Sequence, residues 1–302
     1  MLLVTAANGN QGKLLIPRLL RAGVAFRACV RSGESARALH AAGVADIVVG
    51  DLSDAGVLGK AMQGVEQVYY IGPALHPKER DMGFAAVDAA RAAGVRHFIF
   101  SSVLHAIITD LVQHEIKRDL EEYLISSGME FTILQPANYM LRHRLTSALT
   151  KGVFLLSWAL DRYQSMVDLG DVTEVAAAVL ADSGRHAGAT YELVAPGRYT
   201  AHDIAAAISG VTGREIVAER IDSEVFLKAS LGVESLAEVP YQARVSGAIS
   251  KRYSSHDFIG NPNVLTWLLG RTPTTFEQFV QREFDAFKAS WEQDHRGPVP
   301  CQ

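Results

Sequence analysis

Along the first 136 residues, short apolar runs alternate with longer stretches in which apolar side chains recur every three or four positions. The runs at 2–5, 26–30, 46–49, 67–71, 97–101 and 131–134 read as strands buried on both faces, and the stretches at 12–22, 58–63, 82–93 and 110–126 read as helices. Gly23, Gly64, Gly94 and Gly128 stand just past the helical periods, where a left-handed residue ends a helix. A strand, a turn and a helix repeated in this way predict a doubly wound parallel sheet of the α/β class. After Pro136 the alternation weakens. Helices at 173–181, 201–209, 224–231 and 275–291 and strands at 191–194 and 215–220 predict a smaller C-terminal α+β lobe over the carboxyl edge of the sheet. The division is then a core over 1–140 and a substrate lobe over 141–302 with elements returning to the core. Thr200 and Asp203 have capping-box spacing. The segment from Asp294, with Pro298 and Pro300, reads as loose.

Composition narrows the classes. Of 302 residues, 48% are hydrophobic and 21% charged, which suits an ordinary globular chain. The net charge of −4 is scattered, without the basic stripe that direct nucleic-acid binding needs. Cys29 and Cys301 are too few and too far apart for a disulfide framework or a metal cluster, so no metal is expected and a reducing cytoplasm fits. The amino terminus reads as a strand and not a signal peptide, and no run approaches the roughly 20 apolar residues of a membrane span. The oligomeric state stays open, a homodimer included.

The turn after the first strand, Ala6-Ala7-Asn8-Gly9-Asn10-Gln11-Gly12, opens the first helix. Its spacing is that of the glycine-rich dinucleotide turn of Rossmann folds, with Ala6 in place of the first glycine, and it points backbone N–H groups at a pyrophosphate. The second strand ends at Arg31-Ser32, where NAD sites carry an acid for the ribose hydroxyls. A guanidinium pairs instead with a 2′-phosphate, so NADP(H) is the expected cofactor, against the alternative of a solvated surface arginine. Asp51 and Leu52 would flank the adenine, Asp51 serving equally well as a helix N-cap, while Ile71, Gly72 and Pro73 would approach the ribose and nicotinamide.

The fifth strand runs into Ser101 and Ser102, and the next helix carries Gln113, His114 and Lys117. Short-chain dehydrogenases place a proton-donating Tyr four residues before the Lys; here that position is Gln113, which does not exchange protons near neutrality. Ser101 and Ser102 would line the nicotinamide pocket or cap the next helix. His114, one turn from Lys117, would relay protons or serve structure. His105, His76, Tyr163 and Trp158 are further pocket candidates.

These residues, together with 127–140 (SGMEFTILQPANYM) and the 269–279 stretch from Leu269-Gly270-Arg271 to Phe279, resemble the NmrA-like family of atypical short-chain dehydrogenases over nearly the whole chain. The resemblance implies an NADPH-dependent oxidoreductase acting on a quinone, enone or reactive carbonyl, or alternatively a regulator that binds NADP(H) without turnover. It assigns the acid–base role without a Tyr to Lys117, with ribose binding as the other reading. It also places Pro136 and Asn138 at the cofactor and Tyr139 at the acceptor.

Overall fold

The structure, a computed structural model, describes residues 1–294, with side chains through Ser290; the expected loose tail and Cys301 lie outside the described residues. The first half runs β1 (Leu2–Val4), α1 (Gly12–Arg21), β2 (Phe26–Val30), α2 (Gly33–Ala41), β3 (Asp46–Val49), α3 (Ala55–Met62), β4 (Gln67–Ile71), α4 (Glu79–Ala92), β5 (His97–Ser101), α5 (Val112–Ile125) and β6 (Glu130–Pro136). The second half runs β7 (Asn138–Met140), α6 (Arg142–Lys151), β8 (Val153–Leu156), β9 (Met166–Asp168), α7 (Leu169–Ala181), α8 (Ser183–His186), β10 (Ala189–Leu193), α9 (Ala201–Thr212), β11 (Val217–Arg220), α10 (Ser223–Leu231), α11 (Pro240–Ser255), α12 (Asn263–Leu269) and α13 (Phe276–Asp294).

Seven strands form one parallel sheet in the order β10-β6-β5-β4-β1-β2-β3. Alternate side chains feed two cores. Leu2, Val4, Tyr69 and Ile99 pack towards α1 and α7, while Leu3, Val68, Tyr70, Phe98 and Phe100 pack towards α3, α4 and α5. Gly23, Gly64, Gly94 and Gly128 all adopt positive φ, as helix ends closed by glycine require. Both limbs of the capping box between Thr200 and Asp203 are formed.

Two segments after residue 141, where elements returning to the core were expected, pack with the sheet and its helices. The run at 191–194 is part of β10, which pairs with β6 from Ala189 to Leu193 and covers backbone groups that would otherwise form an open sheet edge. α7 packs on α1. The lobe proper is built on two short parallel pairs, β7 with β9 and β8 with β11. α13 closes it against α9, held by Arg282 on Asp168 and Arg271 on Asp171, each at 2.7 Å. Both aspartates are buried, and buried carboxylates persist where a cation and hydrogen bonds meet them. Among the described residues no helix is long and apolar enough to cross a membrane.

Candidate dinucleotide and acceptor site

Strand order reverses at β1, which lies between β4 and β2, so a crevice opens beyond the carboxyl ends of these strands. Thr5 ties its edge: the Oγ1 donates to the Ile71 carbonyl at 3.1 Å and accepts from the Ile71 N–H at 2.7 Å. The turn that follows is tight. Ala6 takes φ +46°, the conformation glycine supplies in this motif, and the Gly9 N–H closes back on its carbonyl at 2.8 Å. A Cβ on Gly12 would sit 2.2 Å from the Ala7 carbonyl oxygen, so the helix approaches the strand as closely as backbone allows. The N–H groups of Asn8, Asn10 and Gln11 have no acceptor among the described residues. Unpaired amides at a helix start fit a pyrophosphate.

Ala6, Asn8, Gly9, Arg31, Leu52, Ile71 and Pro73 line a single groove. Cys29, Val30, Gly50 and Met82, not singled out in the sequence, complete it. Cys29 is a wall and not a nucleophile, since burial pushes its thiol up to about 11. At the far end Arg31 is exposed and has no hydrogen-bond or ion-pair partner among the described residues. Ser32 caps α2 by accepting from the Ser35 N–H, and the Asn8 side chain reaches the Ser35 hydroxyl at 2.7 Å. The cap of α3 is Asp54 and not Asp51. Asp51 instead accepts from the Ser53 N–H, which holds its carboxyl below the usual range with help from nearby His76 and Arg31.

Behind Gly72, between the lining residues Ile71 and Pro73, the Lys117 ammonium lies 2.7 Å from Glu79 Oε1, with the two side chains 13% and 3% exposed, and 5.2 Å from the Phe100 ring centre. Glu79 carried no signal in the sequence; it reads as an ordinary first-turn acid of α4. Its presence changes the reason for Gly72, where a Cβ would meet Lys117 Nζ at 2.9 Å and Glu79 Oε1 at 3.1 Å. Gly72 makes room for this ion pair.

The chain matches the NmrA-like family over residues 1–278. It belongs to that family. Over 96% of its length it is 30% identical to the whole of an NAD(P)H azoreductase from Xenophilus azovorans. It is 27% identical over 94% of its length to 99% of quinone oxidoreductase 2 from Escherichia coli. The solved triphenylmethane reductase of Citrobacter sp., complexed with NADP(H), superposes with a TM-score of 0.79 at 25% identity, covering 94% of this chain and 100% of that one. The transcriptional regulator NmrA shares the fold, with a TM-score of 0.78 at 17% identity over 96% of this chain and 98% of that one.

Several side chains singled out in this NmrA-like sequence are occupied elsewhere. Gln11 donates to the Ser101 hydroxyl at 2.8 Å and the Tyr139 hydroxyl at 2.7 Å and accepts from Tyr69 at 2.6 Å, so it contributes backbone and not side chain to the groove. Burial pushes the Tyr139 phenol up to about 12, and that of Tyr69 further, so both keep their protons within a closed network. Ser102 donates to Glu121, which also accepts from Gln135 at 2.9 Å. Burial raises the Glu121 carboxyl, another acid the sequence left unmarked.

His114, expected either to relay protons or to serve structure, is turned to the His105 carbonyl and Phe258. Its Nδ1 lies 3.0 Å from the His105 carbonyl, its ring stands edge-on to Phe258, and it is 1% exposed. Burial pushes it down to about 4, which leaves a neutral packing imidazole. His105 does not line the groove either: its Nε2 meets the Ile259 carbonyl at 2.9 Å from a backbone with φ +56°. The Pro136 carbonyl accepts from the Leu104 N–H at 2.9 Å, and the Asn138 side chain donates to Gln164 at 2.9 Å.

Proposed function

We propose that this protein is an NADPH-dependent reductase that passes a hydride to a small electron-poor acceptor, a quinone, an enone or a reactive carbonyl. The course of the groove carries this reading. It runs from Arg31 past the turn at Asn8 and Gly9 to Ile71 and Pro73, which flank Gly72, whose Cβ position lies 2.9 Å from Lys117 Nζ. That sequence of groups suits a 2′-phosphate, a pyrophosphate and a nicotinamide riboside in order. An NAD(P)H azoreductase and a quinone oxidoreductase among its relatives support the reading.

Bound NADPH supplies the hydride; the chain supplies position and a proton. The amides of Asn8, Asn10 and Gln11 hold the pyrophosphate, and Arg31 pairs with the 2′-phosphate through charge-assisted hydrogen bonds. Glu79 fixes the Lys117 ammonium at the crest, where it grips the ribose hydroxyls and stands ready to return a proton to the reduced acceptor. The closed Gln11–Ser101–Tyr139 network holds the floor between turn and acceptor rigid.

The reading is tested by following NADPH oxidation with quinones, enones and aldehydes while NADPH binding is measured in parallel. Binding with turnover is expected. A second reading, a dinucleotide sensor, is favoured by one feature: Gln113 occupies the position of the missing Tyr, with its buried Oε1 left without a partner among the described residues. Tight binding with no turnover on any acceptor would select it.

A further inference from the structure

On the lobe side of Tyr139 lies a second cavity of about 40 Å³, lined from β7, α6, β8, β9, α9 and α13. Tyr139 is the shared wall: its hydroxyl bonds Gln11 of the dinucleotide turn, and its body lines this cavity. Most of the lining is apolar, with Phe154, Met166 and Phe276, and it contains no carboxylate. Two donors in the lining are left over. Trp158 Nε1 and Gln164 Nε2 are buried without a partner among the described residues, in side chains 7% and 4% exposed. The Gln164 amide is oriented by its other end, because its Oε1 accepts from Asn138, whose own Oδ1 accepts from Tyr253 at 3.4 Å. The third polar group is Arg144, in the first turn of α6. It is exposed, borders the cavity and has no hydrogen-bond or ion-pair partner among the described residues.

An unmet buried donor costs of the order of a lost hydrogen bond, and two such donors beside an exposed guanidinium ask for oxygen lone pairs. A water needs roughly 10–15 Å³ of such space, so the cavity holds either a few waters or the end group of a ligand whose body lies towards the crest. Arg144 decides between a neutral and a charged end group, because a guanidinium matches a carboxylate in both charge and geometry.

We propose that this cavity seats the carboxylate of an aromatic acceptor, held by Arg144, Trp158 and Gln164, with the ring directed past Tyr139 towards Lys117. The proposal rests on the reductase reading for the identity of the ligand as acceptor, but the anion site itself does not.

The test uses a non-reducible probe pair, 2-naphthoate and 2-naphthylmethanol, titrated into protein saturated with NADP⁺ while Trp fluorescence and heat are recorded. Naphthoate is expected to bind at least about 10-fold tighter than the alcohol, the scale of one charge-assisted bond. Arg144→Met should erase that ratio and Arg144→Lys should keep most of it. In parallel, 1,4-naphthoquinone-2-carboxylate should show a KM at least about 10-fold below that of 2-methyl-1,4-naphthoquinone. Equal affinities for the two probes, or a preference that survives Arg144→Met, would overturn the anion site even if both quinones are reduced. An Arg144-dependent preference without reduction of any acceptor would uphold the site and remove the reductase reading.

Discussion

The two ends of the groove are built from different materials. After β1 the contacts offered to a ligand are backbone: the unpaired amides of Asn8, Asn10 and Gln11, on a turn whose shape depends on residues that lack or barely have a side chain. After β4 and β5 the groups are side chains paired with each other, Lys117 with Glu79 and Ser102 with Glu121, drawn from α4, α5 and the segment after β5. A backbone site tolerates many side chains but no extra volume. A side-chain site tolerates small shifts but not the loss of a partner, because a buried charge is then left alone. Substitutions at the two ends should fail in different ways.

Gly12 should show the largest effect. Its added Cβ would press 2.2 Å from backbone oxygen, which no rotamer change relieves. Gly12→Ala is expected to lose several kcal/mol of stability, or to displace the turn and weaken NADPH binding by roughly 100-fold or more. Thermal unfolding and a fluorescence titration read both. Gly59→Ala is the contrast: it sits within α3 with open space around it, and should gain about 0.5–1 kcal/mol. If the two alanines behaved alike, the backbone account of the turn would be lost.

Lys117 comes next. Lys117→Met should lower kcat by ~10²-fold if the ammonium returns the proton, and should instead raise the Kd for NADPH with kcat largely kept if it only grips ribose. An enone or aldehyde must be among the acceptors, since a hydroquinone anion takes its proton from water. Glu79→Gln sharpens the comparison. It removes the partner of a buried cation, so it should destabilise the fold by about 3–5 kcal/mol, the scale of a buried charge left without its counter-ion. A Glu79→Gln protein as stable as the native one would show that the pair is not closed in solution.

The same contrast explains what could be read before the fold was seen. The glycine turn was legible because a backbone site must write its needs into local spacing, and Gly9, Gly12 and the strand before them lie within a dozen residues. The strands of the core were legible because parallel strands are buried on both faces and leave continuous apolar runs. Glu79 and Glu121 were not, since an acid in a helix looks the same whether it faces water or a buried lysine. β10 was visible as a strand, but its place beside β6 is a matter of pairing between segments over 50 residues apart. α6 and α11 were missed because their apolar positions are sparse; the lobe and not the helix face decides their burial.

Arg31 offers a smaller effect confined to one cofactor. Arg31→Asp should weaken NADPH by ~10–100-fold, the value of charge-assisted bonds to a phosphate, and reverse the order of the NADPH and NADH dissociation constants. Isothermal titration with both nucleotides reads it. Equal binding of NADH and NADPH by the native protein would mean that the exposed guanidinium faces solvent and not the ribose.

The smallest effect is expected at Ala6, where backbone and side chain disagree. Its φ of +46° is a conformation that costs an alanine about 1–2 kcal/mol and a glycine almost nothing. Ala6→Gly releases that strain but gives the unfolded chain more freedom, which takes back about 0.5–1 kcal/mol. The difference leaves a net gain of roughly 0.5 kcal/mol, or about 1–2 °C in Tm for a chain of this size. NADPH affinity should move little, because Ala6 brings the groove no more than one methyl and its carbonyl is taken by the Gly9 N–H. A loss of more than about 1 kcal/mol would mean that the methyl packs against the groove wall strongly enough to outweigh the strain, and the turn would then owe part of its shape to a side chain after all.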